Sequence, residues 1–133
     1  MQQLYAEAFK KDQLTLVISG KQHIIDIEIA ETNHQKALGL MYRQHLAEQN
    51  GMLFTYDQPQ ELTMWMKNTF IPLDMIFIKA GGIVHRIEAN TEPLSETIIA
   101  SNGNVVAVLE LAGGVARRLG LKKGDQVLHP LLE

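Results

Sequence analysis

The chain has 133 residues, of which 46% are hydrophobic and 20% charged, and it carries 12 basic and 15 acidic residues for a formal net charge of −3. This length suits one domain with a single core. The charge balance argues against nucleic acid as the main partner, because phosphate binding needs a clustered basic face. The absence of cysteine excludes disulfides, thiolate metal sites and a cysteine nucleophile.

The first residues carry no recognisable targeting signal. Residues 1–12 are polar and mixed, so we predict a loose N-terminal lead-in followed by one β-sandwich domain over residues 13–133. No run approaches the roughly 20 apolar residues that a spanning helix needs, so we expect no membrane span. The sequence does not assign a cellular compartment. We expect a periplasmic or otherwise extracytoplasmic location if a signal has been removed, and a cytoplasmic one if the chain is complete.

The N-terminal part of the domain predicts a β-hairpin. Residues 14–18 are β-branched and weakly alternating, and residues 19–21 read as a turn. In residues 23–30 the isoleucines occupy one face and acidic residues the other, which is typical of a half-buried strand.

A short helix is predicted next. Thr32 or Asn33 can cap it, and Ala37, Leu40 and Met41 share a face. We expect it to fade over residues 44–49.

The remainder predicts many short strands separated by turns. Residues 105–111 are apolar at nearly every position, so we expect that strand to be buried on both faces. A second short helix is predicted within residues 113–121. This pattern indicates an all-β fold, either a sandwich or a flattened barrel with one or two short helices. The predicted strands cover residues 52–56, 63–69, 73–78, 83–89, 97–100, 105–111 and 126–129.

The segment over residues 64–78 is the strongest candidate for a site. It holds the only tryptophan, three of the six methionines and two of the four phenylalanines, together with Lys67, Asn68 and Asp74. Ionised groups are rarely buried without partners. Lys67 could cover Trp65 with its stem while its ammonium stays in water. Alternatively it could hold a carboxylate, from the chain or from a ligand.

Two carboxylates need explanation. Asp74 stands at the start of a predicted strand, where such a group often accepts hydrogen bonds from backbone N–H groups. Glu110 stands inside the most apolar strand and needs a cation or donors, for which Arg43 and Lys67 are the first candidates. If Asp74 and Glu110 instead converge on one cleft, they could perform acid–base chemistry or bind a metal.

Other chemical motifs are weak. The five histidines are scattered, and there is no nucleophile elbow and no phosphate loop. Thioether clusters select Cu(I), but methionine more often fills core gaps, so we expect no metal site and no cofactor. The methionines in question are Met41, Met52, Met64, Met66 and Met75.

Several blocks of sequence occur in a characteristic order between residue 14 and the C-terminus. They cover residues 37–43, 51–54, 64–78, 108–111 with Gly113-Gly114, and Gly124-Asp125. The chain thereby resembles the prokaryotic family called domain of unknown function 192, most specifically in the Trp-Met-Lys-Asn-Thr run from residue 65. The resemblance implies a compact jelly-roll β-sandwich with small helices. It also implies that many relatives are exported, although this chain lacks their leading segment.

The family resemblance implies no agreed activity. By position, the polar and aromatic block residues of the family correspond to Arg43, Trp65, Lys67, Asn68, Asp74 and Glu110.

Two functional hypotheses follow. The first is a binding module in which these candidate ligand-binding residues line a cleft near Trp65, holding a small polar ligand such as a glycan fragment, or the end of a partner chain. The alternative is a hydrolase or lyase that uses Asp74 and Glu110. A third interpretation makes the charged set an internal clamp. We assign no catalytic residue.

Overall fold

The computed structural model describes residues 8–133, and these form nine strands and two short α-helices. Seven strands close into a barrel in the order β1-β2-β3-β8-β5-β6-β9, and β4 pairs with β7 in a separate two-stranded sheet. The elements in chain order are β1 (Lys10–Ile18), β2 (Lys21–Ala30), α1 (Asn33–Leu38), β3 (Asn50–Gln60), β4 (Thr63–Met64), β5 (Leu73–Lys79), β6 (Ile83–Glu88), β7 (Ile99–Ala100), β8 (Val105–Ala112), α2 (Val115–Leu119) and β9 (Gln126–Leu128), followed by a 3₁₀ turn at Pro130–Leu132.

The all-β prediction is confirmed, and the strands form a closed barrel rather than the two sheets of a sandwich. The barrel closes because β9 pairs with β1 on one side and with β6 on the other. A jelly-roll connectivity stays a prediction. No helix among residues 8–133 is long and apolar enough to cross a membrane.

The predicted hairpin is present as β1 and β2, which pair in antiparallel register. Ser19 and Gly20 make the turn with φ of 50° and 79°. β1 begins at Lys10, so the end of the predicted lead-in belongs to the barrel, while residues 1–7 of that prediction lie outside the described residues.

The helix α1 connects two parallel strands, β2 and β3, which sequence alternation did not predict. It begins with a capping box in which the Thr32 side chain accepts from the Gln35 N–H, and the Gln35 side chain accepts from the Thr32 N–H. It ends at Gly39, earlier than predicted. Gly39 has a φ of 48°, and a Cβ there would lie 3.2 Å from the Phe54 ring. Glycine therefore lets the chain turn tightly against the barrel wall.

The predicted strand over residues 63–69 is wrong beyond Met64. The chain turns instead, with Asn68 at a φ of 54°. Backbone bonds hold this turn in place: the Tyr42 N–H donates to the Asn68 carbonyl at 2.9 Å, and the Leu94 N–H donates to the Thr69 carbonyl at 3.0 Å. The segment thus becomes a loop that covers the outside of the barrel.

Apolar side chains form two layers, one inside the barrel and one outside it. Strand β8 contributes to both, so the prediction that it is buried on both faces is confirmed. The inner layer includes Leu16, Ile27, Leu53, Ile76 and Leu109. The outer layer packs under α1 and the loop and includes Leu40, Met52, Phe54, Met66, Met75 and Phe77.

Candidate functional site

A cavity of about 260 Å³ opens between α1, the end of β3 and the loop that begins at β4. It lies on the outer face of the barrel, beside the outer apolar layer. We call it the Glu110 cleft. Its polar and aromatic lining includes Lys36, Tyr56, Thr63, Trp65, Lys67 and Glu110.

Glu110 is a nearly buried polar residue in the lining of this cleft. Strand register places it between Met52 on β3 and Met75 on β5, so its neighbours in the sheet are apolar. It is only 4% exposed. Its carboxyl group forms no salt bridge and accepts no side-chain or backbone hydrogen bond from residues 8–133.

The Glu110 oxygens nevertheless reach open space. Within residues 8–133, His85 Nδ1 is the only side-chain nitrogen or oxygen that is both sealed from solvent and without a hydrogen-bond partner. The Glu110 oxygens also lack a partner, so they must keep access to the cleft that the residue lines. A nearly buried carboxyl group thus faces the cavity with its hydrogen-bonding capacity unused.

Burial raises the pKa of Glu110 from 4.5 to about 8, because the apolar surroundings disfavour the charged form. At neutral pH the group is therefore mainly a neutral acid, which can donate one hydrogen bond and accept others.

One side of the cleft is formed by Tyr56 and Lys36. The Lys36 ammonium lies 3.9 Å from the centre of the Tyr56 ring, a cation–π contact. Burial raises the pKa of Tyr56 to about 12, with a smaller contribution from Glu110. Burial also lowers the pKa of Lys36, which the charge of Asp57 partly opposes.

Trp65 and Lys67 form the mouth of the cleft. The indole is 43% exposed, and the Lys67 ammonium lies 5.1 Å from its ring centre. The ammonium itself lies over the ring in a cation–π contact, whereas the sequence-based interpretation placed the stem on the ring and the ammonium in water. Trp65, Lys67 and Glu110, three of the six candidate residues, therefore line one cavity.

Arg43 lies elsewhere and does not pair with Glu110, which corrects one candidate from the sequence. Its guanidinium forms a two-pronged ion pair with Glu28 of β2, on the wall of a separate cavity. The side chains of the pair are 32% and 24% exposed, so solvent screens their attraction.

We expect Arg43→Met to lower the free energy of unfolding by no more than about 1 kcal/mol, because the pair is partly exposed. Urea denaturation monitored by circular dichroism measures this change. The exposed pair of Arg118 and Glu48 supplies a matched control in Arg118→Met. A loss of several kcal/mol for Arg43→Met alone would instead identify the pair as an internal clamp.

Asp74 lies on the other face of the sheet from Glu110. In the pairing of β5 with β8, Asp74 stands opposite Leu111 and Met75 stands opposite Glu110, and paired residues share a face. Asp74 is fully buried, and its carboxylate accepts from the N–H groups of Asn90 and Ala116, each at 2.9 Å, and of Gly114 at 3.1 Å.

The two carboxylates do not converge on one cleft, as the hydrolase or lyase alternative based on Asp74 and Glu110 requires, because the sheet separates them. Asp74 instead accepts hydrogen bonds from backbone N–H groups, as expected for a carboxylate at the start of a strand. Asn68 is also outside the cleft lining; its side-chain amide donates to the Tyr42 hydroxyl at 3.1 Å and helps to fix the covering loop.

Comparison with known proteins assigns the family. The family model DUF192, described as "Uncharacterized ACR", matches residues 14–129. The chain belongs to the DUF192 family. No curated protein matches it.

Two crystal structures share the fold of this DUF192 chain. A Sinorhizobium meliloti 1021 protein, described as a candidate transcription regulator, is 40% identical with a TM-score of 0.90, over 92% of this chain and 96% of that one. A protein of unknown function from Novosphingobium aromaticivorans DSM 12444 is also 40% identical, with a TM-score of 0.88, over 91% of this chain and 86% of that one.

Sequence reasoning about this DUF192 chain missed Lys36 and Tyr56. Tyr56 continues the alternation of Met52 and Phe54 on the outer face of β3, which marks it as a wall residue once that face is known to be covered. Lys36 stands on α1, and its ammonium reaches the Tyr56 ring on the wall of the cleft. Neither residue can be recognised as part of a cleft from the sequence, because the cleft forms only where α1 and the covering loop pack on the barrel.

Proposed function

We propose that this DUF192 protein is a non-catalytic binding module whose Glu110 cleft holds a small polar ligand or the end of a partner chain. The observation that carries the proposal is Glu110 itself, a carboxyl group that is 96% buried, faces a cavity and has no partner within residues 8–133. Such a group destabilises the free protein. A ligand that supplies its hydrogen bonds would compensate for that loss.

The rest of the lining supports recognition of an oriented polar molecule. Two lysines, a tyrosine and a neutral carboxyl group line a cavity of about 260 Å³, and the exposed indole provides an apolar wall at the mouth. A few polar groups in a partly apolar cavity are typical of small-molecule sites. The volume favours a ligand the size of one sugar ring or one to two amino acids.

The same lining supports binding rather than catalysis. Glu110 is the only carboxyl group that residues 8–133 contribute to it, and the second carboxylate proposed for acid–base work lies across the sheet. We also infer that the protein does not contact nucleic acid directly, in line with its formal net charge of −3. A regulatory role, as described for the Sinorhizobium meliloti relative, would then operate through the bound ligand.

Intrinsic fluorescence tests the proposal directly, because Trp65 is the only tryptophan in the chain and stands at the cleft. We expect a saturable change in its emission when a member of a panel binds: a neutral sugar, a sugar acid, an amino sugar, an amino acid or a short peptide. Glu110→Ala should abolish that change while leaving the indole in place.

Glu96→Ala, at an exposed position in the loop before β7, is the matched control and should show the same ligand titration as the native protein. Proton–nitrogen correlation spectra should show shifts concentrated around β8, α1 and the covering loop. An emission that stays constant with the whole panel at millimolar concentration contradicts the proposal. So does binding that survives Glu110→Ala.

A further inference from the structure

The two lysines of the Glu110 cleft lie over aromatic rings rather than in salt bridges within residues 8–133, and Asp57 acts on Lys36 only through its charge. Lys36 lies against Tyr56 and Lys67 against Trp65, and neither ammonium forms a salt bridge. Lysines on protein surfaces commonly extend into water, but both of these bend over aromatic rings that line one cavity. Their positive charges are thus gathered at the cleft rather than dispersed.

The carboxyl group in the cavity does not neutralise these charges. Glu110 lines the same space as both lysines, yet it pairs with neither, and it lies between the apolar side chains of Met52 and Met75. The titratable groups that line the cleft with it are Tyr56 from β3, Lys36 from α1 and Lys67 from the covering loop, and Asp57 of β3 acts on Lys36 from outside this lining. With Glu110 neutral, the part of the lining that residues 8–133 provide carries two positive charges, although the whole chain has a formal net charge of −3.

We infer that the cleft takes a carboxylate group of its ligand, held by the ammoniums of Lys36 and Lys67 while Glu110 acts as a neutral hydrogen-bond donor. This inference rests on the proposed function and names its ligand class. Charge-assisted hydrogen bonds from ammonium to carboxylate are the strong ones, and a neutral carboxyl group can add an O–H donor to the same anion.

Two kinds of ligand carry such a carboxylate and fit a cavity of this size. One is a sugar acid, whose ring would lie against the indole of Trp65. The other is the C-terminal carboxylate of a peptide, whose last side chain would take that place. Both present one carboxylate next to hydrogen-bonding groups, so the recognition is the same and the experiment separates the sources.

The test uses molecules that differ mainly in charge. Trp65 emission is titrated at about pH 6, below the pKa of Glu110, with glucuronate, glucose and glucosamine, and with tri-alanine as its free acid and as its amide. We expect at least one acid to bind about tenfold or more tightly than its neutral counterpart, and the amino sugar to bind most weakly.

Variants identify the groups responsible. Lys36→Met and Lys67→Met keep the apolar stem and should each weaken the acid about tenfold, since a hydrogen bond to a charged group is lost. Their effect on the neutral counterpart should be small. Lys79→Met, at an exposed position at the end of β5, is the control and should leave binding unchanged.

The pH dependence reports the role of Glu110. Affinity for the acid should fall about tenfold per pH unit above pH 8 in the native protein, as the neutral form is lost. Glu110→Gln keeps a neutral donor, so it should still bind the acid and should lose this fall.

The outcomes separate this inference from the proposed function. Saturable binding of glucose or glucosamine that equals or exceeds that of glucuronate, with the same lack of preference in the peptide pair, overturns the carboxylate inference and leaves the binding module intact. No saturable binding of any probe overturns both. Acid binding that is insensitive to Lys36→Met and Lys67→Met also overturns the inference.

Discussion

Asp74→Ala is expected to lower the free energy of unfolding by about 3–5 kcal/mol, a large part of the stability of a domain of this size. The carboxylate is fully buried and accepts from the N–H groups of Asn90, Gly114 and Ala116. Removing it leaves three backbone donors without their partner in a region closed to water. An unsatisfied buried donor costs about 1–3 kcal/mol.

The loss should be concentrated at α2. This helix has five residues, too few to be stable alone, and Gly114 at its start has no side chain to cap it. Asp74 supplies the cap from β5, the strand paired with the one that leads into α2, so its removal should free the helix end as well as weaken the sheet contact. Hydrogen exchange should therefore accelerate first at Gly114 and Ala116.

Urea denaturation measures the total effect, with Asp57→Ala as the matched control because Asp57 is exposed. Asp74→Asn should be destabilising too, since its amide group would place N–H donors against backbone donors. If Asp74→Ala unfolds within about 1 kcal/mol of the native protein, the carboxylate does not hold the turn before α2.

Glu110→Gln is expected to make the protein more stable than the native form at alkaline pH. Between pH 4.5 and about 8 the unfolded chain ionises Glu110 while the folded chain keeps the proton, so the unfolded state binds fewer protons. The native free energy of unfolding should therefore fall by about 1.4 kcal/mol per pH unit across that window. Above pH 8 both states are ionised at this position and the contribution levels off.

Glutamine has no such titration, so the stability difference between variant and native protein should grow through the window and then stay constant. Near pH 4 the two should unfold at similar urea concentrations, apart from the pH-independent effect of burying an amide. Glu96→Gln provides the control at an exposed position. A difference that does not change between pH 4 and pH 8 would show that Glu110 has an ordinary pKa in the folded protein.

Local pattern predicted most of the strands, because alternation and turn residues are properties of neighbouring positions. The hairpin of β1 and β2, and the double burial of β8, follow directly from Ile25, Ile27 and Ile29 and from the apolar run after Val105. Barrel closure could not be predicted in this way. It depends on β9 meeting both β1 and β6, a pairing between the two ends of the chain.

The residues of the candidate site could be predicted in part, because some of them stand out from their neighbours in the sequence. Polar residues within apolar stretches of sequence indicated Trp65, Lys67 and Glu110, and these three residues line one cavity. Arg43 could not be separated from them, because its pairing with Glu28 depends on where α1 and the following chain return to β2. The strand predicted over residues 63–69 failed because Asn68 adopts a left-handed conformation that alternation does not reveal.

Closure of the barrel limits how this protein can recognise another chain. Strands β2, β3, β8 and β5 each have a neighbouring strand on both sides, so they are not edge strands that an incoming peptide could extend. The pairing is short where β9 closes the barrel, with one position against β6 and three against β1, so strand addition, a common mode of peptide capture, has room beside β9. The Glu110 cleft lies against β3 and β8, away from that seam, so affinity for a peptide there must come from side chains, which makes it sensitive to single substitutions.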